Sequence, residues 1–203
     1  MKKNKFSKNW VIKQKRDIYV KQSKIEGYRS RAAYKLQEID KKFKILKNGI
    51  SIVDLGSAPG SWSQYISRNF KNSKIASIDL KEMEKIENIN QIKGDFTDEL
   101  QQKKIFDYFG GKIDTIVSDM AVNTTGNKNL DAIVTGELTS EALNFSTNIL
   151  KKQGNFVSKI FMGSSFNEIV TNAKKKFKEV SVFKPPSSRK DSKESFIICK
   201  KLR

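Results

Sequence analysis

Apolar residues recur along the chain in two alternating patterns, one typical of strands and one typical of helices. Short apolar runs predict strands at residues 51–55, 75–79, 89–92, 113–118 and 155–161. Helical spacing predicts helices at residues 28–43, 62–70, 97–109, 138–149 and 166–177. Two further strands, 179–183 and 195–199, flank a loop at 184–194, and a polar loop is expected at 123–129. The alternation of strands and helices predicts an α/β fold.

The order of these elements indicates how the sheet is built. Strands separated by helices favour a mainly parallel sheet of seven strands with helices on both faces. The last two strands have no helix between them, so they should form an antiparallel hairpin at the end of the sheet. A sheet of this kind places its ligand site outside the carboxyl ends of the strands. The polar residues that close each strand are therefore the candidates for function.

Length and composition narrow the class of protein. A chain of 203 residues fits one domain with a full-sized core. No apolar run approaches the ~20 residues of a membrane span, and the first residues lack the apolar stretch of a secretory signal. Cys199 is the only cysteine, which excludes disulfides within the chain and cysteine-rich zinc sites. We therefore expect a cytoplasmic protein that does not enter a membrane.

The sequence contains no histidine, which limits its chemistry. Histidine is the commonest general base near neutral pH and the commonest metal ligand. Ser-His-Asp and Cys-His mechanisms are excluded, and we expect no metal site. Acid–base work must fall to Lys, Asp, Glu, Tyr or Cys199. A lysine could act as a base only if burial or neighbouring cations lowered its pKa.

The net charge of +18 is concentrated at the two ends of the chain. Residues 1–44 hold 15 basic and 4 acidic side chains, a net +11, and residues 174–203 hold 11 basic and 3 acidic, a net +8. The middle, with 14 basic and 15 acidic residues, is net −1. Two cationic ends around a neutral core favour a nucleic-acid partner. A solubilising coat, or a genome-wide preference for lysine, would give a similar composition.

The first strand ends in a glycine-rich turn, DLGSAPGSW at residues 54–62. Glycines here let the backbone approach a nucleotide-like ligand closely. The turn is not the dinucleotide fingerprint, and Pro59 removes an N–H that could bind a pyrophosphate, which opposes a dehydrogenase. S-adenosylmethionine, which has no phosphate, fits better. Asp79 closes the second strand, 19 residues after Gly60, where a carboxylate can accept both ribose hydroxyls. The alternative is a tight turn followed by a strand-ending aspartate.

A second acidic residue follows the third strand. Asp95, in Gly94-Asp95-Phe96, could accept the exocyclic amine of adenine, while Phe96 offers apolar contact to the ring. This signal is weak, because an aspartate in a strand-to-helix loop is commonly the N-cap of the helix. Both interpretations stay open from the sequence.

Strands four and five carry the most unusual pair. Asp119 closes strand four, and Lys159 lies within the apolar run FVSKIF of strand five. Lysines are almost never fully buried without a partner. Because the ends of neighbouring strands meet, Asp119 is an obvious partner for Lys159. The alternative is an edge lysine whose amine reaches water.

These motifs together resemble the bacterial FtsJ/RrmJ (RlmE) family, the 2′-O-methyltransferases of large-subunit ribosomal RNA. The resemblance covers nearly the whole chain and rests on segments in the same order. They are YRSRAAYKL at 28–36, residues 54–64, GDF at 94–96, SDMA at 118–121, VSKIF at 157–161, KPPSSR at 184–189 and KES at 193–195.

The resemblance implies a Rossmann-like S-adenosylmethionine-dependent methyltransferase fold with a catalytic tetrad. The tetrad roles fall on Lys35, Asp119, Lys159 and Glu194. The cofactor contacts fall on Gly60, Trp62, Asp79, Asp95 and Asp119. The resemblance also implies the substrate, which is the ribose of a uridine in 23S rRNA. This RNA lies within the large ribosomal subunit or its precursor.

The basic ends add the expected RNA surface and the domain organisation. We expect Arg29, Arg31 and Arg189 to contact RNA. Residues 1–27 are predicted as a partly flexible basic segment, and residues 28–203 as a single methyltransferase domain that acts as a monomer.

The working hypothesis is that Lys159, made neutral by burial and by the nearby cation Lys35, accepts the proton of the 2′-hydroxyl. Asp119 and Glu194 would hold the reacting groups in line. Lys35 could instead bind an RNA phosphate, and the sequence does not divide the work between the two lysines.

The sequence leaves two alternative functions open and differs from the family pattern at one position. A tRNA ribose 2′-O-methyltransferase is the first alternative, since residues 15–19 (KRDIY) also resemble tRNA-modifying relatives. A non-catalytic RNA-binding factor for ribosome assembly is the second. The family often has proline where this chain has Val122, and its absence makes the shape of the following loop less certain.

Overall fold

The computed structural model describes residues 17–120 and 128–203, with side chains in the second range from 133 onward. It contains six helices and seven strands within those residues. The helices are α1 Ile18–Ile25, α2 Ala32–Phe43, α3 Ser61–Asn69, α4 Glu99–Phe109, α5 Lys128–Ile149 and α6 Phe166–Lys176. The strands are β1 Ser51–Leu55, β2 Lys74–Asp79, β3 Ile89–Lys93, β4 Ile113–Ser118, β5 Leu150–Phe161, β6 Phe177–Phe183 and β7 Glu194–Leu202.

The seven strands form one sheet in the order β3-β2-β1-β4-β5-β7-β6. The pairs from β3 to β5 are parallel, and β7 runs antiparallel to both β5 and β6. The predicted mostly parallel sheet and its C-terminal hairpin are confirmed. Strand order reverses between β1 and β4, which places the switch point, and the expected ligand site, beyond their carboxyl ends.

Helices cover both faces of the sheet. On one face, α2 and α3 bury Leu36, Ile39, Trp62 and Ile66 against the sheet. On the other face, α4, α5 and α6 pack around a second core that includes Ile105. Apolar side chains alternate between the two cores along each buried strand, because successive strand residues point to opposite faces. Among the described residues, no helix is long and apolar enough to cross a membrane.

The segment before residue 28 contains a helix that the apolar pattern does not predict. Helix α1 begins after Asp17, whose carboxylate accepts from the backbone N–H groups of Tyr19 and Val20 at 3.1 and 3.4 Å. The ring of Tyr19 packs 5.5 Å from that of Tyr34 on α2. An eight-residue helix is marginal alone, so these contacts with the domain stabilise it. The boundary between residues 27 and 28 stays a prediction.

Several element boundaries differ from the sequence expectation, among them the starts of α2 and β5. Helix α2 begins at Ala32 rather than at residue 28. Its N-cap residue, Arg31, makes no side-chain capping bond, and the Ser30 hydroxyl accepts from the Ala32 N–H at 3.2 Å in the turn before the helix. Strand β5 begins at Leu150, five residues early, with an irregular register against β4. Its first polar residues are exposed and carry no apolar signal. The departure at Val122 and most of the loop at 123–129 lie outside the described residues.

Candidate active site

The strand ends bring the predicted tetrad together at one edge of the sheet. Asp119 directly follows β4, and Lys159 lies two residues before the end of β5. Because β7 is antiparallel, its first residue, Glu194, pairs with Phe161, the last residue of β5. Lys35 reaches the same edge from α2, which covers the sheet there. Four residues that are far apart in sequence therefore converge on one point.

The four side chains form a continuous chain of ion pairs. The Lys159 amine lies 2.8 Å from the Asp119 carboxylate and donates a hydrogen bond of 2.8 Å to the Asp119 carbonyl. The Lys35 amine lies 3.5 Å from the other Asp119 oxygen. It also contacts both Glu194 oxygens, at 2.9 and 3.0 Å. Lys159 is 7% exposed and lies on an interior strand, so the interpretation as an edge lysine reaching water is wrong.

The ion pairs among these four side chains shift the pKa values of two of them, Asp119 and Lys35. Burial alone would raise the pKa of Asp119, but Lys159 and Lys35 together lower it below its usual value. Burial would likewise lower the pKa of Lys35, but Asp119 and Glu194 outweigh burial and raise it. Lys35 is therefore a cation and Asp119 a carboxylate at neutral pH. A carboxylate with a lowered pKa is a poor proton acceptor.

A cavity of about 460 Å³ opens beside Asp119. This volume lies within the range of small-molecule and cofactor sites. Apolar side chains and three carboxylates line it, together with one lysine, Lys81. The apolar contributors include Ile78, Phe96, Met120 and Leu138, and the carboxylates are Asp79, Asp95 and Asp119. The tetrad and the cavity share Asp119.

Besides Asp119, two of the predicted cofactor residues, Asp79 and Asp95, line this cavity, and both also accept hydrogen bonds from the loops around it. One oxygen of Asp79 accepts from the Ala58 N–H at 2.9 Å, and the other from the Lys81 N–H at 2.8 Å. Asp95 accepts from the N–H and hydroxyl of Thr97, at 2.9 and 2.8 Å. Asp98, not Asp95, is the N-cap of α4. The interpretation of Asp95 as a helix cap is therefore wrong.

The other two predicted cofactor residues lie at the start of α3. Gly60 is the N-cap residue with φ 101°, and a Cβ there would lie 2.8 Å from Arg29 and from Ile86, so only glycine fits. Trp62 is 2% exposed, donates from its indole to the Ala32 carbonyl at 2.8 Å and packs on Phe196. Its side chain faces the core rather than the cavity. Only its backbone, at the helix N-terminus, remains available to a ligand.

The three predicted RNA-binding arginines are not equally available. Arg31 pairs with Asp17 and donates to the Ser187 carbonyl, and its guanidinium lies 5.5 Å from the centre of the Tyr19 ring. Arg29 donates to the Pro59 carbonyl of the glycine turn at 2.8 Å and to the Lys85 carbonyl, between β2 and β3, at 3.1 Å. Arg189 lies 3.6 Å from Asp17, and its side chain is 34% exposed, the most open of the three. Arg29 and Arg31 therefore stabilise the loops around the site through these contacts, in addition to contributing positive charge.

A larger groove, about 880 Å³, lies elsewhere, near the amino ends of β2 and β3. Lys71, Lys74 and Tyr108 contribute to its lining, and it contains none of the predicted site residues.

The cavity beside Asp119 also contains a residue that was not predicted from the sequence as part of the site. Gly56, which the sequence places in the glycine-rich turn, has a φ of 66°, and a Cβ there would collide with Met120. The collision is the signal that a glycine is required.

Comparison with known proteins identifies the family of this chain. A family model described as FtsJ-like methyltransferase matches residues 28–202. The chain is 70% identical over 203 residues, the full length of both proteins, to the ribosomal RNA large subunit methyltransferase E of Pelagibacter ubique. It is 46% identical over 198 residues to the protein of the same name from Rickettsia akari, covering 95% of this chain and 87% of that one. The chain belongs to the FtsJ-like methyltransferase family.

Solved structures support the same family assignment and the fold. A crystal structure of a ribosomal RNA methyltransferase from Plasmodium falciparum is 36% identical, with a TM-score of 0.75 over 86% of this chain and 98% of that one. A fibrillarin/Nop5p complex matches at 18% identity and a TM-score of 0.59 over 86% of this chain and 85% of that one, which shows the fold alone. The predictions of a methyltransferase, its family and its sheet are confirmed.

This FtsJ-like methyltransferase has a buried carboxyl near Asp119 and Asp79 that was not among the residues predicted from the sequence. Asp54 on β1 is 1% exposed and accepts from the Ser63 hydroxyl at 2.6 Å. Burial raises its pKa to about 7, against the lowering effect of Ser63, and the nearby Asp119 and Asp79 raise it further. The folded protein therefore disfavours the ionised form of Asp54.

We expect this raised pKa to make stability depend on pH. The contribution of Asp54 is complete below its unfolded pKa near 3.8 and is lost as pH rises toward about 7. Asp54→Asn should therefore gain stability relative to the wild type across this window, by on the order of 1.4 kcal/mol per pKa unit. Urea unfolding of both proteins at several pH values measures the difference. The exposed Asp107→Asn is the control. A difference that does not change with pH would contradict the expectation.

Proposed function

We propose that the protein transfers the methyl group of S-adenosylmethionine to a ribose 2′-hydroxyl of 23S rRNA, in the cytoplasm. The substrate is the large ribosomal subunit or its precursor, and the reacting residue is a uridine. The observation that carries the proposal is the Lys35–Asp119–Lys159–Glu194 cluster, which shares Asp119 with the cavity. The names of the relatives, which are ribosomal RNA large subunit methyltransferases, support the choice of RNA.

The charge of the cavity favours this cofactor over a dinucleotide. Three aspartates and one lysine give the lining a formal charge of −2. Such a lining repels a pyrophosphate and attracts the sulfonium, the ammonium group and the hydroxyl and amine donors of S-adenosylmethionine. Phe96, Met120 and Leu138 offer the apolar contacts that an adenine ring requires. When bound, the cofactor supplies an activated methyl group.

The four residues of this cluster would prepare the acceptor. A ribose hydroxyl is a poor nucleophile until its proton is removed, so a positioned base accelerates the transfer. Lys159 is the candidate base, because Asp119, with its lowered pKa, is a poor one. Glu194 and Asp119 keep the two amines in fixed positions. Positioning of this kind supplies a large part of catalysis in transfer reactions.

The RNA would approach from the side of Arg189. Its side chain is the most exposed of the three candidate arginines and lies in the loop that precedes Glu194. The exposed Lys190 and Lys193 follow it in the same loop. Cationic side chains at this position would neutralise the phosphates beside the target ribose.

The deciding experiment incubates the purified protein with labelled S-adenosylmethionine and three acceptors. These are large ribosomal subunits from cells that lack this protein, free 23S rRNA from the same cells, and total tRNA. We expect label in the large subunit or in its free RNA, at one ribose located by mass spectrometry. Label only in tRNA would replace the proposal with the tRNA alternative. Binding of RNA without transfer would favour a non-catalytic assembly factor.

We expect Asp79→Ala to weaken binding of S-adenosylmethionine. Each Asp79 oxygen already accepts one backbone N–H and has a further lone pair for a ribose hydroxyl. Loss of these acceptors should cost ~1–3 kcal/mol, which is roughly one to two decades in Kd. Calorimetry measures the affinity, with the exposed Asp107→Ala as the matched control. Unchanged affinity in Asp79→Ala would remove this residue from the cofactor site.

A further inference from the structure

The loop between β6 and β7 contains two serines that connect α2 with Glu194. Ser187 is completely buried, and both its N–H and its hydroxyl donate to the same oxygen of Glu38, at 2.9 and 2.7 Å. Ser188 is 5% exposed, and its hydroxyl donates to Oε1 of Glu194 at 2.8 Å. The Lys35 amine contacts that same Glu194 oxygen. Glu38 and Ser188 thus hold the surroundings of a tetrad residue without being tetrad members.

Helix α2 fastens this loop at two points. Glu38 follows Lys35 by one turn, so both side chains project from the same side of the helix. Glu38 holds the loop through Ser187, and Lys35 holds the first residue of β7 through Glu194. Ser188 joins the two points, because it is the chain neighbour of Ser187 and the hydrogen-bond donor to Glu194.

We propose that Glu38 and Ser188 are positioning residues that fix the orientation of the Glu194 carboxylate. The Glu194 side chain has three rotatable bonds, so several rotamers are available to it. The ion pair with Lys35 does not by itself fix the loop between β6 and β7, which precedes Glu194 in the chain. The Ser188 hydroxyl selects the rotamer in which Oε1 faces both Ser188 and Lys35. Glu38 acts through the loop and does not line the cavity. The inference rests on the proposed role of Glu194 in methyl transfer.

The test compares variants that remove these hydrogen bonds with variants that keep them. We expect Glu38→Ala and Ser188→Ala to slow single-turnover methyl transfer by about 10-fold or more at saturating RNA and cofactor, since each loses a hydrogen bond to a charged group. Affinity for S-adenosylmethionine should stay at the wild-type value. Glu38→Gln should recover most of the rate, because one amide oxygen can accept from both Ser187 donors. Ser188→Thr keeps the hydroxyl and should do the same.

Controls separate the positioning role from general stability and from the proposed function. Glu141→Ala and Ser181→Ala change exposed residues on α5 and β6 and should have the wild-type rate. If Glu38→Ala and Ser188→Ala lower only the melting temperature, the positioning role is wrong. The same conclusion follows if Glu38→Gln is no faster than Glu38→Ala. If Glu194→Gln keeps the full rate, the proposed role of Glu194 fails first, and with it the basis of this inference.

Discussion

Lys159→Arg should lose methyl transfer almost as completely as Lys159→Met, although arginine keeps the positive charge. General-base catalysis contributes roughly 10²–10⁴-fold to rate, and arginine cannot release its proton at accessible pH. If Lys159 only stabilised charge beside Asp119, the arginine variant should keep substantial activity while the methionine variant loses it. The comparison of the two variants therefore tests proton transfer rather than charge.

The pH dependence of the single-turnover rate gives a second, independent test. A lysine amine acts as a general base only in its neutral form, and the Lys159 amine faces the Asp119 carboxylate at 2.8 Å. The wild-type rate should therefore rise with pH, and a chain without histidine cannot produce this limb through imidazole. Single-turnover conditions are needed because product release can hide the chemical step.

Circular dichroism and cofactor affinity control for misfolding of the Lys159 variants. The side chain is buried at 7% exposure, and the larger guanidinium has to fit there. Lys159 does not line the cofactor cavity, so both variants should bind S-adenosylmethionine normally. An arginine variant with near-normal turnover would contradict the base assignment and leave proton removal to Asp119, Glu194 or water.

The sheet could be predicted from sequence because its strands are buried on both faces. Such strands read as short continuous apolar runs, as in β1 and β4, and glycines or aspartates mark their ends. Helix α1 could not be predicted in this way. It is held by tertiary contacts, the capping carboxylate of Asp17 and the packing of Tyr19 on Tyr34, which no local period records.

The candidate site also has one part that follows from local sequence patterns and one part that does not. The pairing of Asp119 with Lys159 follows from the rule that neighbouring parallel strands end at one edge. Lys35 and Glu194 are 159 residues apart, and their contact depends on α2 covering a reversed strand, so only the family resemblance indicated them. For Trp62, the family resemblance predicts a residue of the cofactor site but not the direction of its side chain. That side chain packs on Phe196 in the core.

Lys35→Met should reduce both stability and the rate of methyl transfer. The Lys35 amine is the shared cation of Asp119 and Glu194, and its substitution leaves two partly buried carboxylates close together. Removal of one partner from a buried ion pair costs about 3–5 kcal/mol. The raised pKa of Lys35 means that its stabilisation is complete below the unfolded pKa of 10.5, so the full loss should be seen at neutral pH. Urea unfolding measures it, with the exposed Lys41→Met on the same helix as the control.

The same variant decides between the two roles left open for Lys35. Its amine is bound by two carboxylates and the residue is 9% exposed, so it has little capacity for an RNA phosphate. Lys35→Met should therefore lower the single-turnover rate at saturating RNA while the Kd for RNA changes little. If Lys35 bound a phosphate, the Kd would rise, its salt dependence would weaken by up to ~1 unit in log–log slope, and the saturated rate would be preserved. A preserved saturated rate would therefore remove Lys35 from the tetrad and assign it to the RNA surface.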